Sequence, residues 1–235
     1  LSETMTWRNC KRDYDMAKII KITTAEVACI ITEEYASEAA ANNDSVGTVE
    51  GGQNINNTAI ESFGRADILV NNAGAAWTAT YDEFPESGWD KVMDLNLKAL
   101  FFLTQKLTPL LRKSGNPSQP AKVINIASID GIHNARHEAY SYAASKAGLI
   151  HLTRRMAKRL VSENIHINAI APGAFASDMN LWARDNPDEV AQRIPAQRIG
   201  KPSDIAGTAV YMCSSAGDYL VGITIAVDGG IAYAS

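Results

Sequence analysis

No glycine precedes Gly47 in this chain. A turn that wraps backbone N–H groups around a phosphate needs glycine, so residues 1–46 offer no recognisable phosphate cradle. No run of about 18 apolar residues occurs, which leaves no transmembrane helix. Cysteine is scarce: Cys10, Cys29 and Cys213 are odd in number and scattered. They have neither metal-ligand spacing nor the look of a disulfide framework, which fits a reducing, cytoplasmic setting. His133, His137, His151 and His166 have no partners at ligand spacing either. They read as surface or strand residues, and no metal is expected. The net charge of −4 makes no case for nucleic acid or an anionic membrane as partner. Nothing at the start has the plan of a signal peptide. Leu1 rather than Met stands first, so a missing or processed start is expected.

What is present is the composition of an ordinary globular protein, 46% hydrophobic and 20% charged over 235 residues. That length suits one large domain, 1–235, with an atypical first part, 1–57. Lys18 to Ile31 is apolar and β-branched, Glu33 to Ala41 looks helical, and Asn42 to Asn57 reads as loop. From Ile60 the pattern sharpens. Gly64 caps a short helix. Asp67 to Gly74 is an apolar run that stops at two amides and a glycine, the signature of a buried parallel strand. Ser87 to Leu107 is a long amphipathic helix that Pro109 ends or kinks. Lys122 to Ala127, Ile165 to Ala171 and Ile223 to Val227 are further strands. Helices are predicted from about Ser141 to Val161, over Val190 to Arg193 and over Ser203 to Ser214. This alternation specifies an α/β fold, a single doubly wound parallel sheet of Rossmann-like type. Ligands of such sheets bind beyond the carboxyl ends of the strands. Asn71 to Gly74, Ser128 and Pro172-Gly173 fall at those ends.

Tyr142 and Lys146 are four residues apart and share one helix face. An ammonium beside a phenol stabilises the phenolate, so Lys146 is expected to lower the Tyr142 pKa. Topology brings Asn72, Ser128, Tyr142 and Lys146 to one sheet edge.

These motifs carry a resemblance. Asn71-Asn72-Ala73-Gly74, Asn96 in Leu95-Asn96-Leu97, Ser128, Tyr142-x-x-x-Lys146, Pro172-Gly173, Arg198 to Ala206 and Val227-Asp228-Gly229-Gly230 follow in the order of the classical short-chain dehydrogenase/reductase family. The chain from about Ile60 to Ala234 resembles it. The spacing from Ser128 to Tyr142, with Tyr140 between, is similar to a subgroup of bacterial 3-oxoacyl reductases. The resemblance implies an NAD(P)(H)-dependent oxidoreductase interconverting a ketone and a secondary alcohol. Tyr142 would be the general acid or base. Ser128 would bind the carbonyl oxygen. Lys146 would poise Tyr142 and hold the nicotinamide ribose, and Asn96 would bend its helix and hold a water of a proton relay. Asn72, Ala73, Gly74, Tyr142, Lys146, Pro172, Gly173, Phe175 and Ser177 would line the cofactor. Residues 175 to 197 read equally as a lid over an apolar substrate or as ordinary core and subunit contacts. A small carbonyl or alcohol compound is the expected partner, a 3-oxoacyl thioester first and another carbonyl compound or sugar second. A homo-oligomer, tetramer or dimer, is implied.

The first 57 residues depart from the family, which opens with a strand and a glycine-rich turn. Three readings stand: that strand and turn are lost, a diverged start still binds a dinucleotide, or the chain is a catalytically impaired scaffold acting as a binding or regulatory module. Cys10-Lys11-Arg12-Asp13, read as the end of a second strand, favours NADP over NAD. Arg154-Arg155 with Lys158-Arg159 reads as a solvated helix face, Gly51-Gly52 as a loop pair, and Cys213 as buried filler.

Overall fold

The computed structural model describes the backbone of 18–22 and 38–41, helical residues at 54–57 and 60–61, and residues 64–134, 137–177 and 179–234. The described residues form a parallel sheet of six strands in the order β2-β1-β3-β4-β5-β6. These are β1 Lys18–Ile22, β2 Glu38–Ala41, β3 Ile68–Asn71, β4 Ala121–Ile126, β5 Ile165–Pro172 and β6 Thr224–Val227. The order reverses between β1 and β3, the switch point at which such sheets open a ligand crevice.

Two readings of the first part are corrected. A strand does lie beside β3: Ile19 to Ile22 pair with Ile68 to Asn71. Glu38–Ala41, expected in a helix from its Glu and Ala content, is instead a strand paired with Lys18 to Lys21. Helix propensity is a weak prior, and a neighbouring strand that supplies a full ladder overrides it. The tetrapeptide Cys10 to Asp13, the glycine pair at 51–52 and the segment that follows β1 lie outside the described residues.

The helices are α1 Glu86–Met93, α2 Leu100–Ser114, α3 Tyr140–Leu160, α4 Leu181–Asp185, α5 Pro187–Ala191 and α6 Pro202–Cys213. A π-helical turn, Asp94–Ala99, joins α1 to α2. Pro109 lies inside α2 and does not end it. The side chains of Thr104 and Thr108 bond the carbonyls of Leu100 and Thr104, supporting the turns just ahead of the proline. One face of the sheet packs Leu69, Val123, Ile165 and Ile167 against Leu103, Leu107 and Leu111 of α2 and Leu149 and Met156 of α3. The other packs Val70, Ile124 and Ile170 against Ile205, Ala209 and Met212 of α6. Burial on both faces explains why these strands read as unbroken apolar runs. Cys213 is buried filler, its thiol pushed up to about 12 by burial. Arg154, Arg155, Lys158 and Arg159 are exposed, as a solvated face requires.

A buried polar ladder ties the two long helices to the sheet. Asn71 Nδ2 donates to Asn125 Oδ1 (2.9 Å) and Thr104 Oγ1 (3.1 Å), and Asn125 Nδ2 donates to Thr153 Oγ1 (2.9 Å). Asn71 therefore links β3, β4 and α2. Together with Asn125 it fixes α2 and α3 against the strand ends where the candidate site lies.

Candidate active site

Ser128 stands two residues beyond the end of β4. It is buried and caps the 3-10 turn Ile129–Gly131, with its Oγ accepting from the Asp130 N–H (3.1 Å). Tyr142 sits in the first turn of α3, half-buried. Lys146, one turn on, is 4% exposed. Its Nζ donates to the Ile126 carbonyl (2.7 Å) and lies 5.5 Å from the centre of the Tyr142 ring. So the end of β4 positions the lysine, and the helix rise sets it beneath the tyrosine.

The electrostatics differ from the simple pair read in the sequence. Burial raises the Tyr142 pKa; the facing Ser128 hydroxyl offsets part of this, and the Asp130 charge adds to it. The lowering expected from Lys146 is not seen: burial, which penalises the phenolate, sets the direction of the shift. Burial also brings the Lys146 pKa down to about 8. The lysine is thus mainly cationic at neutral pH and close to its midpoint just above it.

Asn96 is fully buried in the π-helical turn. Its Oδ1 accepts from Ala75 N (2.8 Å), and its Nδ2 donates to Ala75 O (2.9 Å) and Ser145 Oγ (3.0 Å). The side chain is a clasp on the loop beyond β3. Ser145 was not singled out in the sequence, although it stands directly before Lys146. Its hydroxyl donates to the Tyr142 carbonyl (2.8 Å) and joins the clasp to the turn that carries Tyr142. π-Turns occur often at functional sites, and an amide inside a long helical pattern was the one signal available for it.

Gly74 faces this corner. A Cβ on it would stand 3.3 Å from Asn96 Oδ1 and 3.6 Å from Lys146 Nζ. Its bare backbone leaves both groups room. Asn72 and Ala73 are half-buried just past β3. Pro172 ends β5, and the Gly173 N–H bonds Val227 O (3.0 Å) where a Cβ would strike Asp228. Two expected cofactor residues are otherwise engaged. The Phe175 ring packs against Gly200 and the β-sheet core beneath α6. Ser177 Oγ accepts from Asn180 N (3.2 Å) in a local turn. In the segment beyond, Ala183, Val190 and Ile194 form a small core of their own. Met179, Leu181 and Trp182 remain exposed at 52%, 50% and 44%, with Arg193 stacked on the indole at 4.7 Å.

The donor set suits a nicotinamide nucleotide. Lys146 offers three N–H donors and spends one on Ile126, which leaves donors for ribose hydroxyls beyond the end of β4. Residues 20–232 match the family model described as enoyl-(acyl carrier protein) reductase. The chain belongs to the short-chain dehydrogenase/reductase family. It is 44% identical over 173 residues to the rhamnolipids biosynthesis 3-oxoacyl-[acyl-carrier-protein] reductase of Pseudomonas aeruginosa, covering 72% of this chain and 68% of that one. It is equally 44% identical over 175 residues to the 2-dehydro-3-deoxy-D-gluconate 5-dehydrogenase of Escherichia coli, covering 73% and 68%. The solved Pseudomonas aeruginosa RhlG/NADP active-site complex superposes with a TM-score of 0.80 at 40% identity, over 83% of this chain and 78% of that one. This short-chain dehydrogenase/reductase is an NAD(P)-dependent oxidoreductase that interconverts ketones and secondary alcohols. No described helix is long and apolar enough to cross a membrane.

Proposed function

We propose that the enzyme works as a carbonyl reductase with Tyr142 as the proton donor, on a 3-oxoacyl thioester with NADPH. The buried, carbonyl-anchored Lys146 beneath a half-buried Tyr142 is the observation that carries this. The bound nicotinamide supplies the hydride. The chain's own residues manage the oxygen. Ser128 holds the substrate carbonyl with its hydroxyl hydrogen, since the Asp130 N–H already occupies a lone pair of Oγ. Tyr142 is held protonated by burial and so is ready to donate to the oxyanion as it forms. Lys146 keeps a positive charge beneath the ring that stabilises the resulting phenolate. Asn96 and Ser145 hold the turn that carries both. In the reverse direction the same tyrosine accepts the proton.

The exposed Met179, Leu181 and Trp182 support an acyl chain over a sugar acid, since a hydroxylated, charged substrate gains nothing from an apolar lid. The NADP-bound relative supports NADP over NAD. The exposed Phe102 on α2 and the edge strand β6 support a homo-oligomer, tetramer or dimer, built on the long helices and the last strand. We place this single-domain enzyme in the cytoplasm, on its scarce and scattered cysteines.

Tyr142→Phe tests the assignment. Turnover of a 3-oxoacyl thioester should fall by about 10²-fold or more. NADPH binding, followed by nicotinamide fluorescence, should stay within about threefold of the parent, because the ring and Lys146 remain. Substantial residual turnover would remove Tyr142 from its role.

A further inference from the structure

A second acid stands at the catalytic corner. Asp130 follows Ser128 by two residues in the 3-10 turn Ile129–Gly131. Three contacts hold it there. Its own N–H is spent on Ser128 Oγ (3.1 Å). The next residue, Gly131, lies so close to α3 that a Cβ would come within 2.6 Å of the Lys146 carbonyl carbon and 2.7 Å of Ala147 N. Its carboxylate meets His137 Nε2 at 3.1 Å, from the far end of the loop that leads into α3. The Asp130 side chain is only 14% exposed, while that of His137 is 53% exposed. The Asp130 backbone is anchored at the hydroxyl that faces Tyr142, and its carboxylate, mostly out of water, is held by His137.

We propose that Asp130, held by His137, is a positioning residue of the reaction: a fixed negative charge that biases Tyr142 towards its proton-donating form. A negative charge nearby disfavours a phenolate, and Asp130 acts on Tyr142 in that direction. It opposes Lys146 on the same phenol. Lys146 stabilises the product of proton donation, while Asp130 keeps the proton in place until an oxyanion calls for it. The enzyme is thereby tuned to reduction of the carbonyl. His137 orients the carboxylate through its ring Nε2.

The other titratable groups of this corner are few. Lys146 approaches from α3, bonded to Ile126 O. Glu138 precedes α3 and accepts from Tyr140 Oη (2.8 Å). His133 follows the 3-10 turn, its N–H on Ile129 O (2.7 Å). Asp82 lies in the turn Tyr81–Glu83, whose Tyr81 ring packs edge-on against Tyr140 at 5.7 Å. None of these carboxylates shares the anchor to Ser128 that Asp130 has.

The inference rests on Tyr142 as the acid, and the test separates the two. Asp130→Asn keeps the shape and removes the charge. In carbonyl reduction, the alkaline limb of the kcat/KM profile should move to lower pH by on the order of half a unit or more. A readout free of turnover is the ultraviolet tyrosinate titration of each protein less that of its Tyr142→Phe counterpart, which should shift by the same amount. Asp130→Glu, which keeps the charge, should hold the parent's limb even if Asp130→Asn folds poorly. His137→Phe should give a smaller shift of the same sign, and none in the Asp130→Asn background. His133→Gln should give no shift. An Asp130→Asn protein that folds, yet leaves both the limb and the tyrosinate titration in place, overturns the proposal. Full turnover by Tyr142→Phe, with the tyrosinate shift still seen in Asp130→Asn, overturns instead the role given to Tyr142.

Discussion

Strand β4 carries a buried lysine near each end, and the two are held differently. Lys122, at its start, is 0% exposed and forms an ion pair with Asp218 (2.6 Å). Lys146 of α3, over its end, is 4% exposed and bonds the Ile126 carbonyl. Among the described residues no carboxylate is paired with it. The neighbourhood of Lys122 pays for its burial with a counter-charge, and the pair staples β4 to the segment before β6. Lys146 has only a neutral acceptor, and its ammonium is correspondingly weakened, to about 8. Two lysines of like depth therefore differ in whether a compensating charge stands beside them.

Four substitutions can break or sharpen that contrast. Lys146→Met should have the largest effect, lowering turnover by about 10²-fold or more while leaving the unfolding midpoint at neutral pH unchanged or higher, since it removes an uncompensated buried charge. A drop in stability matching that of a broken ion pair would erase the distinction. Asp218→Leu should cost about 3 kcal/mol in urea unfolding, because it strands a fully buried ammonium. Turnover per folded molecule should change little. Lys122→Met should cost less, about 1 kcal/mol, since the Asp218 side chain is 33% exposed and can be hydrated. Gly131→Ala should destabilise by about 1–3 kcal/mol through overpacking on α3 and lower turnover with it.

The smallest effect is a slope. The folded pKa of Lys146 lies near 8 and its ordinary value is 10.5. Between these the unfolded chain holds more of this proton, so stability rises with pH across that window and the gain is lost as pH falls back through about 8. Subtracting the Lys146→Met stability curve from that of the parent should expose this rise. A flat difference would mean that the lysine is hydrated.

Strands β3 to β5 were legible because they are buried on both faces and so announce themselves as apolar runs, as in Val123 to Ile126. The nearness of Ser128, Tyr142 and Lys146 was legible for a different reason: a helix repeat places Tyr142 over Lys146, and a strand end places Ser128 beside them. Sequence fell short where long-range packing decides. Glu38–Ala41 has the residues of a helix and takes the conformation its neighbour imposes. Pro109 reads as either a stop or a kink, and the helix carries on to Ser114. Phe175 and Ser177 stand at positions that should face a cofactor and are taken up by Gly200 and Asn180. The sign of the Tyr142 shift was missed because spacing shows the ammonium but not the depth of the pocket or the nearby Asp130.

The widened turn at Asn96 has one more consequence. Gly88, Val92, Asn96 and Leu100 are all buried and follow at steps of four. On an ideal helix each such step overshoots by about 40°, so three steps would carry Leu100 roughly a third of the way around the axis. The π turn absorbs that drift and keeps the four in one row. Its extra residue acts as a phase corrector. Deleting one residue from 94–99 would give a more regular helix, and it would turn everything before the deletion, Val92 included, away from the core that α2 still faces.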